Sequence, residues 1–471
     1  MARRLLVLVA LVGVLAPASS ASTPVGAYTK TDVTIIASDG VPLAATLVEP
    51  AGVSGPVPAV LMYHGLGGKR QDVMEIAQRY ADAGFAVLAP DFRGHGESGG
   101  LTSIDGPREI QDVRELYAWL AARPEIDAQH IGGWGISLGG GAILRALGEG
   151  VPFAAAETLQ TWTNLYTALA PQDLSKSGAV YAFLNSLPGN RLAPEVQAIR
   201  QDALASTNLP ALKAFGAQRS SIQLLPHVTA PVFMMQGRRD FAFDLAQAKA
   251  GIAALRGPKR LYMGDFGHAP SKFPGPDIDV VVSEGIRWFK QYLMPQGGGA
   301  EPFVQLASDP WNGTPATYTR LPPVRAKSWK LAGKSSIGAE GKDVRTLTRT
   351  ATRLETFGAA TVRTTATFTG GWSHVVAVLT AKTPGKRTIV VSAGGMNATG
   401  LSGKRTVTIR LIDCSTLIPR GSRLTVSLAS STTAIDPQNA LYLDVPMAAT
   451  AHLSVQSVAL RLPVLRQPIS R

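Results

Sequence analysis

The sequence predicts an α/β fold, a doubly wound sheet carrying a helical cap, followed by an all-β sandwich of jelly-roll type. Three observations predict it. Short apolar runs alternate with helical periodicity up to about residue 294, and the alternation pauses for a helix-periodic stretch over about 160–226. Beyond residue 301 the helical signal stops, and Thr, Val, Leu and Arg alternate at period two between Gly, Pro and Ser turns. With 471 residues, 45% hydrophobic and 17% charged, the chain can bury a core in each of two such domains.

The elements follow in chain order. Met1-Ala2-Arg3-Arg4, the apolar run Leu5 to Leu15 and the small residues up to Ala21 read as a signal peptide over 1–21, so a secreted or cell-envelope location is expected. The apolar run is too short to span a bilayer. Asp32–Ile36 and Leu43–Val48 flank Ser38-Asp39-Gly40 as a β-hairpin, and Val57–Tyr63 is a buried strand ending at His64-Gly65-Leu66-Gly67-Gly68. Met74–Ala83 is helical, Phe85–Ala89 a strand, Arg108–Ala122 a helix, and Ile131–Ile136 a strand that runs into Gly135-Ile136-Ser137-Leu138-Gly139 and a further helix. Phe153–Ala156 is a possible strand. Trp162, Tyr166, Tyr181 and Phe183 belong to the cap, where most pack its own small core. Strands at Pro231–Gln236 and Arg260–Met263 and helices at Leu245–Leu255 and Val280–Leu293 complete a catalytic domain of residues 22–296. Gln296–Ala300 has linker composition, and residues 301–471 form the sandwich.

Charge separates the two parts. Residues 1–300 hold 25 Lys/Arg and 25 Asp/Glu, whereas residues 301–471 hold 21 and 8, so the whole excess of +13 lies in the last third. A basic exterior there suits an anionic cell-envelope surface; without an RNA or DNA motif, nucleic acid is not an expected partner. Cys414 is the single cysteine, which excludes an internal disulfide and a cysteine metal cluster.

The chemistry centres on Gly135-x-Ser137-x-Gly139. A serine hydroxyl is a weak nucleophile at neutral pH, so it needs an exposed turn, a base and donors for the oxyanion. Strand, sharp turn and helix around Ser137 supply the turn. Asp240 follows one later strand and His268 the next, which gives the order Ser, acid, His. His268 is the base and later the acid, and Asp240 orients its ring; Asp244 and Asp265 are the fallback acids. The oxyanion donors are the Leu138 N–H, at the start of a helix, and the Leu66 N–H in the glycine-rich loop. Asp91-x-Arg93-Gly94-x-Gly96-x-Ser98 is a second strand-end loop, expected to brace the site through paired charges.

Taken together, His64-Gly65, Asp91-x-Arg93-Gly94-x-Gly96-x-Ser98, Gly135-x-Ser137-x-Gly139, Gly237-x-x-Asp240 and Gly267-His268 resemble an α/β-hydrolase over residues 31–294. Ser308-Asp309-Pro310-Trp311, Thr317–Pro322 and Leu331-Ala332-Gly333 are similar to the start of the C-terminal jelly roll of the X-Pro dipeptidyl-peptidase and cocaine-esterase-like family. The resemblance implies a serine hydrolase of esters or amides, acting on a small-molecule or peptide substrate, with Ser137, Asp240 and His268 as the triad and no metal or cofactor. Leu138 stands where the family often has Tyr, and Tyr63 precedes His64-Gly65, so an oxyanion hole of backbone donors is expected. Acidic residues to anchor a substrate's amino terminus are not found. Xaa-Pro dipeptidyl-peptidase activity is the nearest alternative, and a catalytically weak cell-surface binding protein the reading from another class.

Overall fold

In the computed structural model, which describes residues 28–53, 55–294 and 302–470, two domains pack side by side. The expected signal peptide and the Gln296–Ala300 linker lie outside the described residues. The first domain is built on a ten-stranded sheet. Its strands are β1 (Tyr28–Ile36), β2 (Pro42–Pro50), β3 (Val57–Tyr63), β4 (Ala86–Pro90), β5 (Ile126–Ile136), β6 (Ala155–Leu159), β7 (Val232–Gly237), β8 (Lys259–Gly264), β9 (Val304–Leu306) and β10 (Ala316–Tyr318), in the order β1-β2-β4-β3-β5-β6-β7-β8-β9-β10. From β4 to β9 the pairing is parallel, and the two edges are antiparallel hairpins. Parallel strands are buried on both faces, which is why β3 and the first four residues of β7 read as apolar runs. Ala59, Leu61 and Tyr63 of β3 join the core on one side of the sheet, and Val60 and Met62 the core on the other.

Helices α1 (Met74–Asp82), α2 (Pro107–Ala121) and α3 (Leu138–Gly148) cover the sheet, and α4 (Leu165–Leu169), α5 (Ser177–Leu184), α6 (Pro194–Ala205) and α7 (Leu209–Ala217) form the expected cap between β6 and β7. Helices α8 (Leu245–Ala254) and α9 (Ile278–Leu293) complete the domain. Strand order reverses at β3, which has β4 on one side and β5 on the other. The loops leaving β3 and β5 therefore meet at the carboxyl edge of the sheet, where open α/β sheets place their sites.

The second domain pairs two antiparallel sheets. One contains β11 (Val324–Leu331), β12 (Ser335–Gly338), β15 (Gly358–Thr369), β18 (Gly403–Cys414) and β21 (His452–Leu465). The other is β13 (Lys342–Arg349), β16 (His374–Lys382), β17 (Thr388–Asn397) and β20 (Arg423–Ala429); β14 (Leu354–Glu355) and β19 (Leu417–Ile418) form a short separate ladder. Alternate residues such as Val362, Ala366 and Phe368 from one sheet and Val375, Ala377 and Leu379 from the other fill the core between them.

One boundary differs from expectation. The sandwich was expected from residue 301, but Val304 and Leu306 are buried against β8, with Leu261 paired to Val304 and Met263 to Leu306. The sandwich strands begin at Val324. Period-two patterning reports a strand but not the sheet it joins.

Candidate active site

Ser137 sits at φ 54°, ψ −113°, a conformation that side-chain-bearing residues rarely adopt. It follows β5 directly and opens α3. The two flanking glycines are required by space. A Cβ on Gly135 would lie 2.2 Å from the Gly139 carbonyl, and one on Gly139 would lie 2.5 Å from the Tyr63 carbonyl oxygen. The Ser137 N–H donates to the Leu159 carbonyl at 2.9 Å, and the Thr161 hydroxyl donates to the Ser137 carbonyl at 2.7 Å, so both sides of the turn are pinned.

The three residues expected to act together are brought together. Ser137 Oγ is 3.0 Å from His268 Nε2, and His268 Nδ1 is 2.7 Å from Asp240 Oδ2. Asp240 is fully buried with both oxygens engaged: Oδ1 accepts from the Ala242 and Phe243 amides at 2.9 Å each, and Oδ2 also accepts from the His268 amide at 3.0 Å. Lys176 from the cap, itself buried, donates to the Ala242 carbonyl at 2.9 Å and ties the same loop from above. The fallback acids lie elsewhere. Asp244 caps α8 through the Ala246 amide and accepts from the Asp413 amide, and burial beside Asp309 pushes the Asp265 carboxyl up to about 6.

Leu66 and Leu138 both line the cavity at Ser137, and neither amide donates to another group among the described residues. A Cβ on Gly65 would stand 3.4 Å from the Ser137 Cβ, which sets the Gly65-Leu66 loop against the serine. His64 holds that loop. Burial pushes its pKa down to about 4, so the ring is neutral at pH 7. One tautomer satisfies both contacts: Nδ1–H donates to the Gly65 carbonyl at 2.7 Å, and Nε2 accepts from the Phe92 amide at 3.1 Å. The Tyr63 ring packs on Phe92 at 4.4 Å and is not among the residues lining the cavity.

The Asp91 loop is braced as its charges suggested. Asp91 pairs with Arg70, whose amide it also accepts at 2.6 Å, and Arg93 reaches both oxygens of Asp112 at 2.6 and 2.7 Å. Such bidentate pairs fix geometry as well as charge.

The cavity over Ser137 lies between sheet and cap. Ile104, Leu138, Trp162, Leu169, Phe215 and Phe243 are among its walls, and none of its lining residues is charged. The His268 ring is met edge-on by Phe243 at 5.1 Å and Phe183 at 5.5 Å, with those two stacked at 5.6 Å.

Two features of the site escaped the sequence reading. One is the His64 brace, signalled only by a histidine at a strand end. The other is Arg238, two residues before Asp240, which is wholly buried and reaches into the second domain. Its side chain pairs with Glu355 and donates to the Ser415 carbonyl at 3.1 Å and the Ser415 hydroxyl at 2.9 Å as well as to the Ala307 carbonyl, while its own carbonyl accepts from the Ser415 amide at 2.7 Å. The sandwich thus buttresses the loop of the catalytic-acid candidate.

Comparison with known proteins bears on the family and the fold. Residues 39–270, just under half of the chain, match the family model described as X-Pro dipeptidyl-peptidase (S15 family). A CocE/NonD family hydrolase from Staphylococcus aureus superposes with a TM-score of 0.71 at 13% identity, over 93% of this chain and 94% of that one. An aminopeptidase from a Thaumarchaeota archaeon gives 0.73 at 14%, over 96% and 98%. At such identities the likeness is one of fold, and it bears out the two-domain architecture. An uncharacterized 31.7 kDa Escherichia coli protein from the traX-finO intergenic region is 35% identical over 94 residues, 20% of this chain. The chain spans about a third of the length of the curated relatives it matches first, 33% and 32%.

Proposed function

We propose, from the match of residues 39–270 to the X-Pro dipeptidyl-peptidase (S15 family) model, that the chain is a serine hydrolase that cleaves carboxylic esters of apolar acyl groups through an acyl-enzyme. His268 Nε2 takes the proton as Ser137 Oγ attacks the carbonyl carbon, and the Leu66 and Leu138 amides receive the oxyanion. His268 then returns the proton to the departing alcohol. Water attacks the acyl-enzyme by the same base, which regenerates Ser137 and releases the acid. Asp240 holds the ring with Nδ1–H inward and stabilises the imidazolium.

The observation that carries the substrate class is the cavity lining. Apart from Ser137, Ser175 and Tyr166, its walls are apolar side chains and glycine, and no carboxylate is among them. An Xaa-Pro peptide would bring an ammonium group, whose burial without a counter-charge costs several kcal/mol. The buried Asp105 carboxyl lies against Gly141 of α3 rather than among the cavity walls. The leader read over residues 1–21 supports work outside the cytoplasm.

Turnover of p-nitrophenyl esters from acetate to octanoate, beside an Ala-Pro p-nitroanilide, tests the proposal in wild type and Ser137→Ala. The expected result is Ser137-dependent ester cleavage with kcat/KM rising up to about fourfold per CH₂, from about 0.8 kcal/mol per buried methylene. Faster Ser137-dependent release of nitroaniline would move the assignment to dipeptidyl peptidase. Equal rates in wild type and Ser137→Ala would favour a binding protein.

A further inference from the structure

The charge excess of the last third has a defined place in the sandwich. Directly paired residues on antiparallel strands share a face of the sheet. Thr361 of β15 pairs with Arg410 of β18 on one side and Arg461 of β21 on the other, and Arg461 pairs with Ser328 of β11. Arg410, Thr361, Arg461 and Ser328 therefore form one row across four strands. Their neighbours Ile409, Val362 and Leu460 are buried, so the row faces outward, and both arginines are exposed. Arg363, two residues along β15, is exposed on the same face.

The row opens onto a cleft of about 480 Å³ between the sandwich and α8, to which Lys249 and Arg325 also contribute. Asp413 is the only acidic residue in the five strands of this sheet. It is buried and held 2.5 Å from Lys249 Nζ. Among the described residues, the side chains of Arg325, Arg410 and Arg461 form no ion pair, whereas Arg70, Arg93 and Arg238 each do. Three guanidinium groups thus share one cleft whose single carboxylate, Asp413, is buried and paired with Lys249.

We propose that this row binds a phosphate-bearing polyanion. Arg410 and Arg461 stand two strand spacings apart, about 10 Å, which suits successive charges of an extended polymer. The hydroxyls of Thr361 and Ser328 alternate with the guanidinium groups, so each anion meets a fork of N–H donors beside an O–H donor. A phosphate, with more acceptor oxygens than a carboxylate, uses both. The site lies on the second domain, away from the cavity over Ser137, and its occupancy is independent of the hydrolytic assignment.

The test is binding of long-chain inorganic polyphosphate to the full chain by titration calorimetry across a salt series, with polygalacturonate as the carboxylate comparison. The expected result is polyphosphate binding that weakens with salt and falls at least about tenfold in Arg410→Ser/Arg461→Ser. Arg387→Ser/Arg420→Ser removes the same charge from exposed positions outside this sheet and should retain binding within about twofold, a loss smaller than that of one charge-assisted hydrogen bond. Ester turnover should be unchanged in both variants. Absence of binding at low salt, equal weakening by the two double variants, or equally tight binding of polygalacturonate would each overturn the proposal.

Discussion

Removing the Glu355 carboxylate tests whether the second domain holds the catalytic-acid candidate in place. Arg238 and Glu355 are both 0% exposed in their side chains. Burial pushes the Glu355 carboxyl up, but the Arg238 guanidinium and the hydrogen bonds from Ser470 outweigh it and hold the group below the ordinary carboxylate range. Glu355→Ala leaves the guanidinium without its counter-charge and strands the Ile469 and Ser470 amides, which Glu355 accepts at 2.7 and 3.0 Å. Breaking a buried pair from one side typically costs about 3–5 kcal/mol. At about 2–4 °C per kcal/mol for a unit of 150–250 residues, calorimetry should show a transition lowered by roughly 10 °C. Because Asp240 lies two residues beyond Arg238, kcat measured well below the transition should fall while KM changes little. The double variant Arg238→Met/Glu355→Leu should recover most of the lost stability, since no unpaired charge remains. A Glu355→Ala protein that melts within about 2 °C of wild type and keeps full turnover would refute the reasoning.

Asp240→Asn is expected to lower kcat by about 10³–10⁴-fold with the fold intact, because an amide facing Nδ1 favours the wrong histidine tautomer; steady-state kinetics with circular dichroism checks both parts. His64→Phe keeps a ring but removes the bonds to Gly65 and Phe92, and should cost about 10–100-fold in kcat through a misplaced oxyanion loop. Glu157, buried in β6, has its carboxyl pushed up to about 8 by burial. A raised carboxyl pKa gives stability that is fully present below the unfolded value of about 4.5 and lost as pH rises through about 8. Melting temperature should therefore fall between pH 5 and 9 in wild type and fall less in Glu157→Gln.

The α/β domain, its cap and the following β-rich domain were legible because each rests on a local signal: unbroken apolar strands, helical periodicity, and period-two alternation. Ser137 and His268 were legible for a related reason. A strained turn demands glycine at fixed spacing, and the chain order leaves one histidine beyond Asp240 in a loop that follows a strand of the first domain. What stayed hidden depends on distance in the sequence. Arg238 reads as a loop charge until Glu355, 117 residues later, is seen beside it. Val304–Leu306 reads as a sandwich strand until β8 is seen to pair with it. The row of Arg410, Thr361 and Arg461 exists only once register is known, although the charge count had located its domain.

The central claim is that Ser137 is the nucleophile of a hydrolase whose base is His268. The most direct test is intact-protein and peptide mass spectrometry after reaction with a fluorophosphonate. The account predicts a single adduct, on Ser137, forming in step with loss of ester turnover and absent from Ser137→Ala and His268→Ala. Ester turnover that persists in Ser137→Ala, or an inactivating adduct on another residue, would contradict it.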